Sequence, residues 1–317
     1  MPSKLKIDLA QMPEFNPKQY IGQGKKYGPS NKIPIEVQSD SDQEEILTLP
    51  ESAAALLPPV NMPIAQFIDI DLPQVTSGFI MYKAKKWFSE EEPNIDITTL
   101  RHRPVPNEDF LQELDSAFGQ AWFGGARSII DQRYNDAKER LPLWILTYWK
   151  KMVHAVRAQA AWARSSNWLA RQQLYNGPDE ERLSGASQLL GTVGWDTPLT
   201  YLKSNIAASK LQGFLSTAWL STDHMDIMVE QLNNHIQEYH PTESSKVLIV
   251  PLIFASKLSE KKLPEFEKGS LLHFKNVIKE KRITKLYFPI NIGDRHWVAG
   301  CVDFGEKSIS FGALIST

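Results

Sequence analysis

With 317 residues, a formal charge of −2 and a pI near 6.4, the chain carries no global field that favours nucleic acid or a membrane surface. Hydrophobic residues make up 42% and charged residues 23%, the balance of an ordinary globular protein with a real core. The most apolar stretches, Leu141 to Trp149 and Val247 to Ala255, are nine residues each and too short to span a bilayer. The N-terminus lacks the apolar region of a secretory signal. One cysteine excludes an internal disulfide framework and a cysteine-based zinc site. These features point to an intracellular protein, nuclear or cytoplasmic, with no membrane partner.

Thirteen of the 20 prolines fall in the first 106 residues, a density that blocks long helices and central strands. Residues 1–106 are therefore expected to be largely disordered. Within them, Ile33-Pro-Ile35-Glu-Val37 precedes QSDSDQEE, and Ile68-Asp-Ile70-Asp-Leu72 is similar. A short β-branched strand followed by acids resembles a SUMO-interacting motif, in which the strand extends a partner's sheet. The same pattern also fits a solvated acidic linker.

Residues 107–140 show helical spacing, with Phe110, Leu111, Leu114 and Phe118 on one stripe. A long helix is expected from Pro142, a good first helical residue, to Gln173, with Asn176-Gly177-Pro178 as its stop. Trp144, Tyr148, Met152, Val156 and Ala160 recur at steps of four along it. Arg140 to Pro178 holds six Lys or Arg and no acid, and five of the nine tryptophans lie between Trp122 and Trp168. A basic aromatic helix of this kind can bind nucleic acid or a protein partner. It can equally be a helix hairpin whose tryptophans fill its own core. The segment 107–183 thus reads as helical.

Asp223 is a candidate N-cap for a helix reaching about Gln237, with Met225, Met228, Val229, Leu232 and Ile236 as its stripe. Val247 to Phe254 reads as a buried strand, and Ser270 to Lys281 as a helix. Three strands follow: Thr284 to Ile292, His296 to Phe304 and Ser308 to Phe311, turning at Gly293-Asp294 and Gly305-Glu306. Leu286, Phe288, Ile290 and Ile292 share one face. The order helix, strand, helix, strand meander defines an α+β domain. His235 and His240 are five apart, the wrong spacing for two metal ligands on one helical face, and no metal is implied.

The string FPINIGDRHWVAGCVDFGEKSISFG, residues 288–312, resembles the ubiquitin-like-protein proteases, the Ulp/SENP SUMO proteases related to adenovirus proteinase. The resemblance covers roughly 195–312, with 313–317 a non-matching tail. It implies a partial papain-like, adenovirus-proteinase-like cysteine protease domain that acts on SUMO or another ubiquitin-like protein and its conjugates without a cofactor. His296 matches the catalytic histidine, the group that would activate a thiol and protonate the leaving amine. Trp297 matches the tryptophan that roofs the tunnel for the substrate's Gly-Gly tail. Asp303 matches the aspartate that closes the strand. Trp219-Leu220 resembles the family's Trp-Leu-x-Asp opening element, although here the acid, Asp223, comes one residue late.

Other parts of the pattern are missing. The family's orienting Asp falls at position 313, which is Ala313. A hairpin turning at Gly305-Glu306 pairs 313 with Val298, on the side of the strand that carries His296. The match is lost after Gly312, before the family's oxyanion-hole Gln and nucleophilic Cys. Cys301 does not replace that nucleophile: five residues from His296, it lies on the opposite face and about 16 Å along the strand, against a required reach of about 3 Å. The chain is thus expected to be a truncated, inactive member of a hydrolase family. The abrupt end of the match suggests a misread exon boundary, and a splice form or a decayed copy would produce the same ending.

Overall fold

The computed structural model describes residues 46–76, 83–134, 139–174, 179–202, 206–259, 270–293 and 296–313. The chain divides into two units, one of residues 1–59 and 69–160, the other of residues 60–68 and 161–317. This division differs from the expected boundaries near 107 and 195, because residues scattered far apart in sequence share each core.

In the first unit, helix α1 (Glu51–Ala54), strand β1 (Phe88–Ser89), helix α3 (Glu108–Phe123), strands β2 (Ser128–Ile129) and β3 (Leu141–Pro142) and the start of α4 (Ile145–Gln173) surround one core. Asn107 caps α3 by accepting the Phe110 N–H. The expected stripe Phe110, Leu111, Leu114 and Phe118 is buried, extended by Trp122. The helix stops at Gly124, well before residue 140, and Gly125 takes a positive φ of 98° that only glycine adopts without strain.

The expectation of disorder does not hold for 46–76 and 83–106. Trp87, Leu100 and Val105 are fully buried, and Ile46, Leu47, Leu56, Leu57 and Leu72 pack on the same core. Proline prevents long helices there but leaves short turns free to deliver apolar side chains. The Ile33–Val37 motif lies outside the described residues. Ile68 falls in helix α2 (Ile64–Asp69), so 68–72 is not the free extended strand that a SUMO-interacting motif requires.

Helix α4 begins at Ile145, because Pro142 belongs to β3. Steps of four advance 400°, so such a stripe drifts about 40° per step. Tyr148 and Met152 are accordingly buried while Ala160 has turned to solvent. Trp149 and Trp162 are buried, and Trp162 donates its indole N–H to the Trp195 carbonyl at 3.1 Å. These two rings fill cores and are not offered as stacking platforms, while Trp144 and Trp168 are half-buried. The Arg133 guanidinium is held by both Asp131 carboxylate oxygens, at 2.8 and 2.5 Å, beside the Trp87 and Trp149 rings. That pairing is what a nearly buried acid such as Asp131 requires. Burial alone raises the Tyr148 hydroxyl to about 12, against a smaller opposing effect of Arg101.

The second unit contains α5 (Glu180–Leu190), α6 (Thr222–Tyr239), α7 (Pro241–Ser244), β4 (Val247–Ile249), α8 (Ile253–Ser259), α9 (Ser270–Glu280), β5 (Lys285–Ile292), β6 (His296–Asp303) and β7 (Ser308–Ala313). It is an α+β unit with a four-stranded sheet ordered β4-β5-β6-β7, β4 parallel to β5 and the rest antiparallel. The three-strand meander runs as expected. β4 is shorter than expected, since Pro251 cannot donate to a ladder and the chain enters α8 two residues later.

Leu286 and Phe288 are buried against Val250, Phe254 and Leu271, while Ile292 has run beyond that cover. Phe288 sits opposite Gly300 in register, and a Cβ on Gly300 would come within 2.7 Å of its ring. The aromatic ring therefore occupies the space that the glycine leaves. Among the described residues, no helix is long and apolar enough to cross a membrane.

Replacing Phe288 by alanine should destabilise the second unit by about 3–5 kcal/mol, measured by urea unfolding. A second expectation concerns Asp303, whose carboxylate accepts the Gly305 and Glu306 N–H groups at 2.9 and 3.0 Å and faces Lys285. The Glu306 N–H chiefly, with Lys285, holds its pKa below the usual carboxylate range. A depressed carboxylate contributes stability above its unfolded pKa and loses it as pH falls through the folded value. Asp303→Asn should therefore flatten the acid limb of a stability-against-pH curve below about pH 4.

Candidate functional site

His296 opens β6, with its imidazole exposed and free of hydrogen bonds to other described residues. Strand alternation puts it on one face with Val298, Gly300 and Val302, and the register opposes it to Ile292. That face also carries Ile309 and Phe311 of β7, which are 65% and 66% exposed. The exposed apolar residue beside the imidazole is Ile292, its register partner, whereas Ile309 and Phe311 lie farther along the strand.

The predicted hairpin register holds: Val298 is paired with Ala313. Position 313 is therefore on the histidine's face of the sheet, and alanine supplies no carboxylate there. Cys301 lies on the other face, opposite Tyr287, with which it shares a hydrogen bond. Burial first, then that thiol, pushes the Tyr287 hydroxyl up.

Trp297 also lies on the face away from His296 and is 9% exposed, opposite Asn291. Its indole Nε1–H donates to the Leu220 carbonyl at 2.9 Å. This bond joins two elements 77 residues apart, the Trp219-Leu220 pair and the His-Trp pair. Trp219 itself is 74% exposed. Among the described residues, no ring contact joins the two indoles.

Helix α6 holds the 219–220 segment in place. Its N-cap is Ser221, not Asp223, which sits inside the first turn and pairs with Lys210 at 2.7 Å. Ser221 and His224 form a reciprocal capping box: the Ser221 side chain accepts the His224 backbone N–H, and the Ser221 N–H donates to His224 Nδ1 at 2.9 Å. Farther along, Asn233 donates to the Ile249 carbonyl at 2.8 Å and Asp226 accepts the Leu252 N–H at 3.2 Å, tying the helix to the end of β4. Burial nonetheless leaves the Asp226 pKa raised. Met225 and Val229 are buried as expected, but Met228 and Leu232 are exposed because neighbours cover the helix mainly between His224 and Val229.

Sequence reasoning did not single out His224 or Gly213, whose missing side chain makes room for the His224 ring. The spacing Ser221-x-x-His224 is that of a capping box, but the usual third residue is Glu or Gln, so the signal was muted. Among the described residues, no group of acidic, histidine or cysteine side chains could hold a metal ion.

The exposed histidine at the start of β6 is followed directly by a buried tryptophan whose indole is tied to the 219–220 loop. A model of the Ulp1 protease family, C-terminal catalytic domain, matches residues 218–311. That match covers under a third of the chain and makes this segment similar to the catalytic domain of the Ulp1 proteases. A solved structure described as the SUMO protease Ulp1, with its catalytic cysteine oxidized to a sulfonic acid, aligns at 20% identity and a TM-score of 0.30. The alignment covers 38% of this chain and 51% of that one, so the present chain spans about half of the solved structure's length. No curated protein matches.

Trp297→Phe removes the Nε1–H together with part of the buried ring. It should cost about 1–3 kcal/mol in urea unfolding of the second unit.

Proposed function

We propose that the second unit is the histidine-bearing half of a cysteine-type isopeptidase site that recognises the C-terminal tail of SUMO or another ubiquitin-like protein. One observation carries the reading: an exposed imidazole at position 296 directly precedes a tryptophan anchored to the 219–220 loop, inside a segment that matches the Ulp1 catalytic domain. In this reading His296 is the general base and then the general acid, while Trp297 and Trp219 border the path of the tail. Among the described residues, the thiol and the orienting acid are not supplied. Cys301 faces away, and Ala313 occupies the position opposite Val298. In this reading the described residues bind the tail, and the acid, the glutamine and the cysteine are contributed by residues other than these.

The decisive experiment uses SUMO carrying a C-terminal electrophile. A chain extended through a downstream cysteine should become covalently labelled, and His296→Ala should lower its labelling rate at least about a hundredfold, as expected for loss of a general base. The 317-residue chain should stay unlabelled. Labelling of the 317-residue chain at Cys301, or labelling of the longer chain that is indifferent to His296, would overturn the proposal.

A further inference from the structure

We propose that His224 is a positioning residue for Trp297 and acts on it through one peptide group. The peptide joining Leu220 to Ser221 is a rigid trans plane whose C=O and N–H point in opposite directions. Its C=O accepts the Trp297 indole N–H at 2.9 Å, and its N–H donates to His224 Nδ1, also at 2.9 Å. Turning either bond turns the other.

The histidine end of this relay is itself fixed. Nδ1 is an acceptor, so the neutral ring carries its proton on Nε2, which lies 2.7 Å from the Lys210 carbonyl, a group that can only accept. The tautomer is thereby set by both ends. The ring is 8% exposed and meets Phe214 edge-on at 4.8 Å. Gly213 presses so close that a Cβ there would fall 2.1 Å from Nε2. Donors thus run in one direction, from Trp297 through the Leu220–Ser221 peptide and His224 to Lys210, and each bond polarises the next.

A capping box needs only the return bond to the N-cap N–H. Here the N3 side chain has a second anchor in Lys210, which pins the ring and, through it, the orientation of the peptide. Residues 217–219, just before that peptide, are exposed and belong to no helix or strand, so they contribute little hold of their own. The inference rests on the protease reading only for the purpose that Trp297 serves. The geometry of the relay stands apart from it.

The test is an indole N–H spectrum of the 15N-labelled full chain, in which nine tryptophans report separately. In His224→Ala the Trp297 resonance should shift and its hydrogen exchange should accelerate roughly tenfold, the equivalent of one hydrogen bond. Trp162 and Trp195 should hold their positions as reporters of the same unit's fold. His224→Gln restores an acceptor for the Ser221 N–H and should recover most of the Trp297 protection. Gly213→Ala displaces the ring without deleting it and should reproduce the Trp297 shift. An unmoved Trp297 in His224→Ala, an equal movement of Trp162 and Trp195, or a glutamine variant no better than alanine would each overturn the positioning role. Binding of unmodified SUMO to the same variants tests the protease reading separately. If Trp297 follows His224 while SUMO does not bind at all, the relay is upheld and the protease reading fails.

Discussion

The register of β6 against its two neighbours is the constraint on which the site depends. Side chains alternate along a strand, so pairing Ile292 with His296 on one side and Ala313 with Val298 on the other commits every residue of β6 to a face. His296 and position 313 share one face, while Trp297 and Cys301 are sent to the other. A slip of one residue would invert all four assignments. The ladder is held against that slip by Phe288, whose ring lies in the core and over Gly300, and by the Asp303 turn, which closes the β6–β7 hairpin.

The sheet alone does not make the site. Trp297 points away from the histidine, and its polar edge is satisfied only because a loop from before α6 brings a carbonyl to it. That loop has no regular structure, and its placement comes from the cap of the helix that follows. The order imposed on the tryptophan thus originates in a capping interaction, a local device used here over a long sequence distance.

The first unit shows how a proline-dense sequence can still build a core. Its 3-10 turns, two-residue strands and the isolated Val75–Val105 bridge bury Trp87, Leu100, Val105 and Ile129 around α3 and the start of α4. Tryptophans there lie edge-on or tilted to their neighbours, as with Trp87 against Phe110 and Trp149. The cationic side chains of α4 remain on its outer face, with Lys150 paired to Asp115 at 2.5 Å and Arg157 to Glu108.

Much of this was legible in the sequence, for local reasons. The strand meander, its turns and the 298–313 pairing follow from period-two alternation and turn residues, which are properties of short stretches. The His-Trp string and the absence of an acid at position 313 likewise depend only on residue identity and spacing. Tertiary structure alone decided that the proline-rich segment packs, that Trp149 and Trp162 are buried, and that the α6 cap is Ser221. It also decided that His224 and Trp297 hold the two ends of one peptide. Burial and hydrogen-bond partnership depend on which distant residues arrive in the same place, and no periodicity within a single segment encodes that meeting.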